Sequence, residues 1–135
     1  MAQHEPIIRH INPATLPTSS GYTQVVTATG GTTVYISGQV ALAPDGALVG
    51  ADDLDAQAVQ VFENLRAALA AVGATFEHVV KLTIFVLDAS RAPIVRAVRD
   101  RYINTQAPPA STAVEVRRLF REDFLIEVEA VAVVP

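Results

Sequence analysis

The feature that most limits the possible folds is the run HVVKLTIFVL, His78 to Leu87. It is rich in β-branched residues and, after His78, its apolar character is interrupted only by Lys81 and Thr83. A half-exposed strand alternates apolar and polar residues, so this run predicts a strand covered on both faces and central in its sheet. Such a strand needs a layer on each side. One layer is legible in Asp52 to Val72, where Leu54, Ala58, Val61, Phe62, Leu65, Ala68, Leu69 and Val72 recur at helical spacing and form one broad apolar stripe. Asp52, Asp53 and Asp55 suit the positive N-terminal end of that helix, and Gly73 suits its stop.

The remaining segments fill in the sheet. Pro6 to Asn12 reads as a short first strand and Asn12 to Gly21 as a loop; Thr23 to Thr29 and Thr32 to Val40 read as strands joined at Gly30-Gly31, a dipeptide suited to a tight hairpin. Pro44-Asp45-Gly46 marks a turn. Ser90 is placed to cap a second helix running to about Asn104, with Ile94, Val95, Val98 and Tyr102 inward and Arg91, Arg96, Arg99 and Arg101 outward or at an interface. Two more strands follow, Ser111 to Val116 and Phe124 to Val134. The order β-β-β-α-β-α-β-β predicts a single α+β domain over residues 1–135, with one mixed sheet and both helices on one face. No segment is left to cover the other face. Half of the 135 residues are hydrophobic and only 18% are charged. That excess of apolar surface predicts that subunits cover the open face for one another.

Charge and composition narrow the function classes. A net charge of −4 argues against a general grip on nucleic acid, although seven of the ten Lys and Arg residues fall between Arg91 and Arg121. There is no cysteine, hence no thiolate nucleophile or zinc–thiolate site. His4, His10 and His78 lack metal-ligand spacing, and no phosphate-cradling glycine loop is present. No metal or other cofactor is expected. The start MAQHEPIIRH lacks a basic segment followed by an apolar one, and no apolar run approaches the ~20 residues that span a membrane. A soluble, cytoplasmic protein without membrane contact is expected.

A few residues stand out as chemistry. Glu127 and Glu129 lie on the same side of the last strand, where carboxylates among apolar neighbours demand partners: an interface arginine, or a role as general acid/base or water-positioning group. Ser37-Gly38-Gln39 offers a hydroxyl, a close-approach backbone and an amide, or simply a strand end. Tyr22 presents a phenol to a cleft or packs in a strand. Ser111, in APPASTAVEV, has neither a triad nor a nucleophile elbow around it.

Taken together, SGYTQVV, VYISGQVAL, QVFENLRAAL, HVVKLTIFVLD, PPASTAVEVRRL and IEVEAVAVV resemble the RidA/YjgF family of reactive-intermediate deaminases, formerly called endoribonuclease L-PSP, in order and spacing from about Gly21 to the C-terminus. The resemblance implies a chorismate-mutase-like α+β fold and a homotrimer with three clefts between neighbouring subunits. In active members an arginine in a PARS-type segment grips the carboxylate of a 2-imino acid, and water hydrolyses the imine or enamine to a 2-keto acid and ammonia. Aligned back from Ala113-Val114-Glu115-Val116, Ser111 stands at that arginine's place. Tyr22 matches the family's cleft tyrosine, Ser37 the serine of its SGQ segment and Glu127 the glutamate associated with the catalytic water. Arg96 and Arg99 fall where asparagine and tyrosine are frequent, on neighbouring turns of one helix face, where they restore a positive charge to the cleft or pair at the surface. Arg118 matches an arginine of the family's ARL segment, and Arg117 replaces the alanine before it.

Replacing a permanently charged, bidentate fork by one neutral hydroxyl removes charge-assisted bonds of ~1.5 to 3 kcal/mol each. The expectation is therefore a trimer whose cleft binds a small polar metabolite through Tyr22, Ser37, Ser111 and Arg96, with Glu127 positioning water and 2-imino acid deamination weak or absent. The alternatives are a hydrolase acting on another imine, enamine or amide in a catabolic pathway, and a non-catalytic metabolite-binding or chaperone-like trimer. A ribonuclease role is the least favoured, for want of basic charge and of an acid/base histidine pair.

Overall fold

The computed structural model describes residues 6–135; His4 lies outside them. The helix expected from the apolar stripe is α1, Leu54–Ala70, and it buries Leu54, Ala58, Val61, Phe62, Leu65 and Leu69. The Asp53 side chain caps it by accepting from the Ala56 N–H at 3.1 Å. Gly73, at φ +70°, turns the chain so that the Ala74 N–H closes back onto the Leu69 carbonyl at 2.9 Å.

The strands are β1 (Ile7–Ile11), β2 (Val25–Thr29), β3 (Thr32–Gln39), β4 (Val79–Val86), β5 (Ala110–Glu115) and β6 (Ile126–Val134); a second helix, α2, spans Ala92–Arg99 between β4 and β5. The main sheet is mixed and four-stranded, in the order β3-β6-β4-β5. Its β3/β6 and β6/β4 ladders are antiparallel, and β4/β5, joined across α2, is parallel. The fold is thus α+β, with both helices against one face of a mixed sheet.

Two expectations change. Gly30-Gly31 does not close a β2–β3 hairpin: β2 pairs with β1 in a separate two-stranded sheet, while β3 pairs with β6. Period-two alternation fixes the face of a strand but not its partner. The two glycines, at φ +81° and +74°, make a corner, and Gly31 is pressed so close to the Val134 carbonyl that any Cβ there would collide with backbone. The second change concerns the second helix. Asp88, not Ser90, makes the capping bonds, accepting from the Ser90 N–H and hydroxyl at 3.0 and 2.6 Å to cap the 3-10 turn ahead of the helix, whose own N-cap, Arg91, has no side-chain cap. That short turn, Ala89–Arg91, leads into α2, which ends at Arg99, short of Asn104, in turns whose Asp100 and Ile103 N–H groups still reach back to the Arg96 and Arg99 carbonyls at 3.0 and 3.2 Å.

The covered face of the sheet is a continuous core. Leu82, Ile84 and Val86 of β4 and Ile126, Val128, Ala130 and Ala132 of β6 are buried there against the helices. Phe62, Phe76 and Tyr102 add an aromatic cluster, with the Phe62 and Tyr102 rings stacked at 5.3 Å between centroids. One polar side chain inside it, Gln57, is fully satisfied. Its amide nitrogen donates to the carbonyls of Gly50 and Asp123 at 3.1 and 2.9 Å, and its oxygen accepts from the Leu125 N–H at 2.9 Å. On the opposite face Tyr35 is 80% exposed, and Lys81, Thr83, Phe85, Glu127 and Val131 are only half-buried. Among the described residues, no helix is long and apolar enough to cross a membrane.

Candidate functional site

The first group of candidate residues gathers where the loop before β2 meets the free edge of β5. Thr23 docks on that edge: its N–H donates to the Pro109 carbonyl at 3.2 Å and its hydroxyl to the Pro108 carbonyl at 2.5 Å. The parallel bridge from Thr23 to Ala110 continues the sheet by one residue. This places the Ser20-Gly21-Tyr22 segment beside the Pro108-Pro109 stretch that leads into β5. Ser111 pairs with the buried Leu82 in register, so its side chain points to the helix-covered side of the sheet.

Helix α2 brings two guanidiniums to the same place. Arg96 donates through Nη2 to the Ser20 hydroxyl at 2.9 Å. A methyl added at Gly21 would come under 3.0 Å from Nη2 of both Arg96 and Arg99, so those two nitrogens are less than about 6 Å apart, twice that limit. Gly21 also holds φ +82°, a conformation open to glycine. Two like charges this close repel by roughly 0.7 to 3 kcal/mol, depending on the effective dielectric. Asp100 offsets part of the Arg99 charge, accepting from its Nε and Nη2 at 3.1 and 2.9 Å. Arg96 has no carboxylate partner among the described residues, only the neutral Ser20 hydroxyl. Arg99, expected outward or at an interface, is buried within the protomer, 7% exposed. It sits at the last turn of a short helix, where the chain folds back over it toward Tyr102. Beneath the two arginines opens a cavity of about 330 Å³ lined by Ile84, Val86, Ala92, Pro93, Val95 and Ala113.

The second group lies on the open face. A shallow groove of about 420 Å³ is lined by Tyr35, Ser37, Lys81, Thr83, Glu129 and Val131. Lys81 donates to the Thr112 hydroxyl at 2.7 Å. Glu127 lies on the same face, opposite Phe85 in the β4/β6 ladder. Its carboxylate rests directly over Gly38, where any Cβ would strike it. The β3/β6 register breaks between Ile36 and Gln39, and this irregularity leaves the seat for Glu127. The end of β3 is held by α1: the Asn64 side chain donates to the carbonyls of Val40 and Leu42 at 3.0 and 2.9 Å.

Within one protomer the five candidate residues therefore form two sets. Tyr22, Arg96 and Ser111 lie on the β5-edge side of the protomer, whereas Ser37 and Glu127 belong to the open face. Sequence reasoning missed the role of Lys81 and Thr83 in the groove; their polarity inside an otherwise apolar strand was the available signal. Among the described residues no three His, Asp or Glu side chains converge as a metal site.

The pattern of the family described as endoribonuclease L-PSP matches residues 13–134, nearly the whole chain. The chain belongs to this family, the Rid/YjgF proteins. A Rid-family protein of unknown function from Yersinia pestis superimposes with a TM-score of 0.84 at 34% identity, covering 94% of this chain and 98% of its own. Among Rid relatives, the protein named DfrA of Myxococcus xanthus is 42% identical over 112 residues, 83% of this chain and 84% of its own length. A Salmonella typhimurium relative named 2-iminobutanoate/2-iminopropanoate deaminase is 38% identical over 105 residues, 76% of this chain and 80% of its own length.

Proposed function

We propose that this Rid-family protein is a homotrimer whose clefts, formed between subunits, each bind a small polar metabolite, and that 2-imino acid deamination is weak. The observation that carries this reading is the source of positive charge. At the β5 edge Ser111 contributes a hydroxyl, and the charge beside Gly21 comes instead from Arg96 on α2, which has no carboxylate to neutralise it. A ligand with an anionic group fits that charge better than an uncharged imine or amide does.

The split of the candidate residues supports a cleft between subunits. Ser37 and Glu127 face away from the Tyr22–Ser111–Arg96 set in the same chain, so one subunit's open face must complete a neighbour's edge for the five to act together. In that arrangement Tyr22 and Ser111 orient the ligand and Glu127 holds the water. Glu127 is suited to this: it is half-buried and takes no ion pair among the described residues. The ribonuclease reading finds no support at the site. His78 spends Nδ1 on the Thr75 N–H at 3.0 Å, and His10 lies on β1.

Ammonia release from 2-iminopropanoate generated in situ tests the proposal. Wild type should run close to the uncatalysed rate, and Ser111→Arg should exceed it by roughly ten-fold or more, as expected from restoring one or two charge-assisted bonds. Rapid turnover by wild type would overturn the demotion of deaminase chemistry. Light scattering should give three times the protomer mass of 14.3 kDa.

A further inference from the structure

We infer that Arg96 and Arg99 form a two-pronged anion clamp and that the apolar cavity beneath them receives the rest of the same ligand. The cleft then selects small monocarboxylates bearing a branched or aromatic apolar group over short ones. This rests on the cleft-binding reading above and specifies its ligand.

Three observations converge. First, both guanidiniums end against one backbone point, Gly21. Second, their charge is underpaired: Asp100 serves Arg99 through a single oxygen, and Arg96 meets only Ser20. Two like charges held together in a partly buried place favour an anion that bridges them, and a carboxylate offers two oxygens to two donors. Third, the adjoining cavity of about 330 Å³ has no polar side chain in its lining besides the two arginines. Its walls of Ile84, Val86, Val95 and Ala113 cannot hydrogen-bond a sugar or a second carboxylate. An anionic head with an apolar tail is the chemistry this geometry completes. The anchor comes from a helix rather than from β5, so a ligand held by it lies in a different pose from one held at residue 111.

Stable 2-oxo acids serve as probes, with affinity measured by calorimetry on the assembled protein. Wild type should bind 4-methyl-2-oxopentanoate roughly ten- to fifty-fold more tightly than pyruvate, from burial of three further carbons. Arg96→Gln, at an exposed position, should weaken both ligands roughly ten-fold or more, and Arg99→Gln should do the same provided its melting curve shows it folded. Ala113→Leu, which fills the cavity, should erase the preference while pyruvate still binds.

Equal affinity of wild type for both acids would overturn the cavity assignment. Unchanged binding in Arg96→Gln, accompanied by loss of the oligomer, would overturn the clamp and make these arginines interface ion pairs. If wild type binds neither acid at concentrations on the order of 10 mM but Ser111→Arg binds pyruvate, the clamp fails and the cleft reading stands. If Ser111→Arg binds neither as well, both fail.

Discussion

The two faces of one sheet, built by the same strands, are finished in opposite ways. On the covered side Leu82, Ile84 and Val86 alternate into a dry core in which even the buried amide of Gln57 has all three of its hydrogen bonds. On the open side Lys81, Thr83 and Phe85, their immediate neighbours, stand half-exposed beside Tyr35 and two glutamates. The difference teaches that the covered face stores the stability of the protomer, whereas the open face, left half-exposed, is the one on which the proposed association and chemistry would draw.

Adjacent residues on β4 give the sharpest test. Leu82→Ala should cost about 2–5 kcal/mol in denaturant titration, because the cavity is created under two helices, while Thr83→Ala should cost less than about 1 kcal/mol in the protomer. Comparable losses would break the comparison. Tyr35→Arg should leave the far-ultraviolet circular dichroism of the protomer intact yet weaken association by roughly a hundred-fold, read by light scattering against concentration, since it sets like charges together across the open face. Gln57→Leu should destabilise by about 2–3 kcal/mol despite adding apolar surface, because the Gly50 and Asp123 carbonyls and the Leu125 N–H lose their partner.

The smallest effect is at acid pH. The Ser90 hydroxyl and N–H hold the Asp88 carboxyl below its ordinary 3.8; Arg121 lowers Asp123 likewise, and Arg66 with Tyr102 lowers Glu63 from 4.5. Folded values below unfolded ones mean that this stabilisation is present above the unfolded pKa and is lost as pH falls through the folded one. The denaturation midpoint should therefore be flat above about pH 5 and decline gently below pH 4, with Asp123→Asn and Asp88→Asn each making the decline shallower. These groups are exposed, so the slope should also weaken in high salt.

Much of this fold was legible because it depends on periodicity. The α1 stripe gave a helix within two residues of each expected end, Asp52 to Val72 against Leu54–Ala70, and the run His78 to Leu87 became β4 at Val79–Val86. Even so, Val72, counted in the stripe, lies past the last helical residue and is exposed. What was not legible depends on choice among local equivalents. Asp88 and Ser90 are both good caps, and Asp88 prevails because its carboxylate reaches both the N–H and the hydroxyl of Ser90. The partner of β2 was not written in its alternation, and the corner at Gly30-Gly31 looks the same in sequence as a hairpin turn. At the site, the spacing of Arg96 and Arg99 put them on one helix face, but only the tertiary approach of Gly21 shows that both point at the same spot. Sequence spacing likewise put Glu127 and Glu129 on one side, yet only the register break at the end of β3 shows why Glu127 alone has a seat over a glycine.

That seat has a consequence for how the protein tolerates mutation. Gly38 has an ordinary backbone conformation, and what a new Cβ would strike is the free end of a flexible glutamate rather than a backbone atom. Substitution there can be absorbed by swinging the Glu127 carboxylate aside, at small cost to folding. A library selected for expression or solubility would therefore accept alanine or serine at Gly38, while one selected for the water-holding role proposed for Glu127 would reject every replacement, because none is smaller than a methyl group. If Glu127 holds the water as proposed, Gly38 is a position at which fitness for folding and fitness for chemistry diverge, and where a catalogue of stable variants would point away from the functional ones.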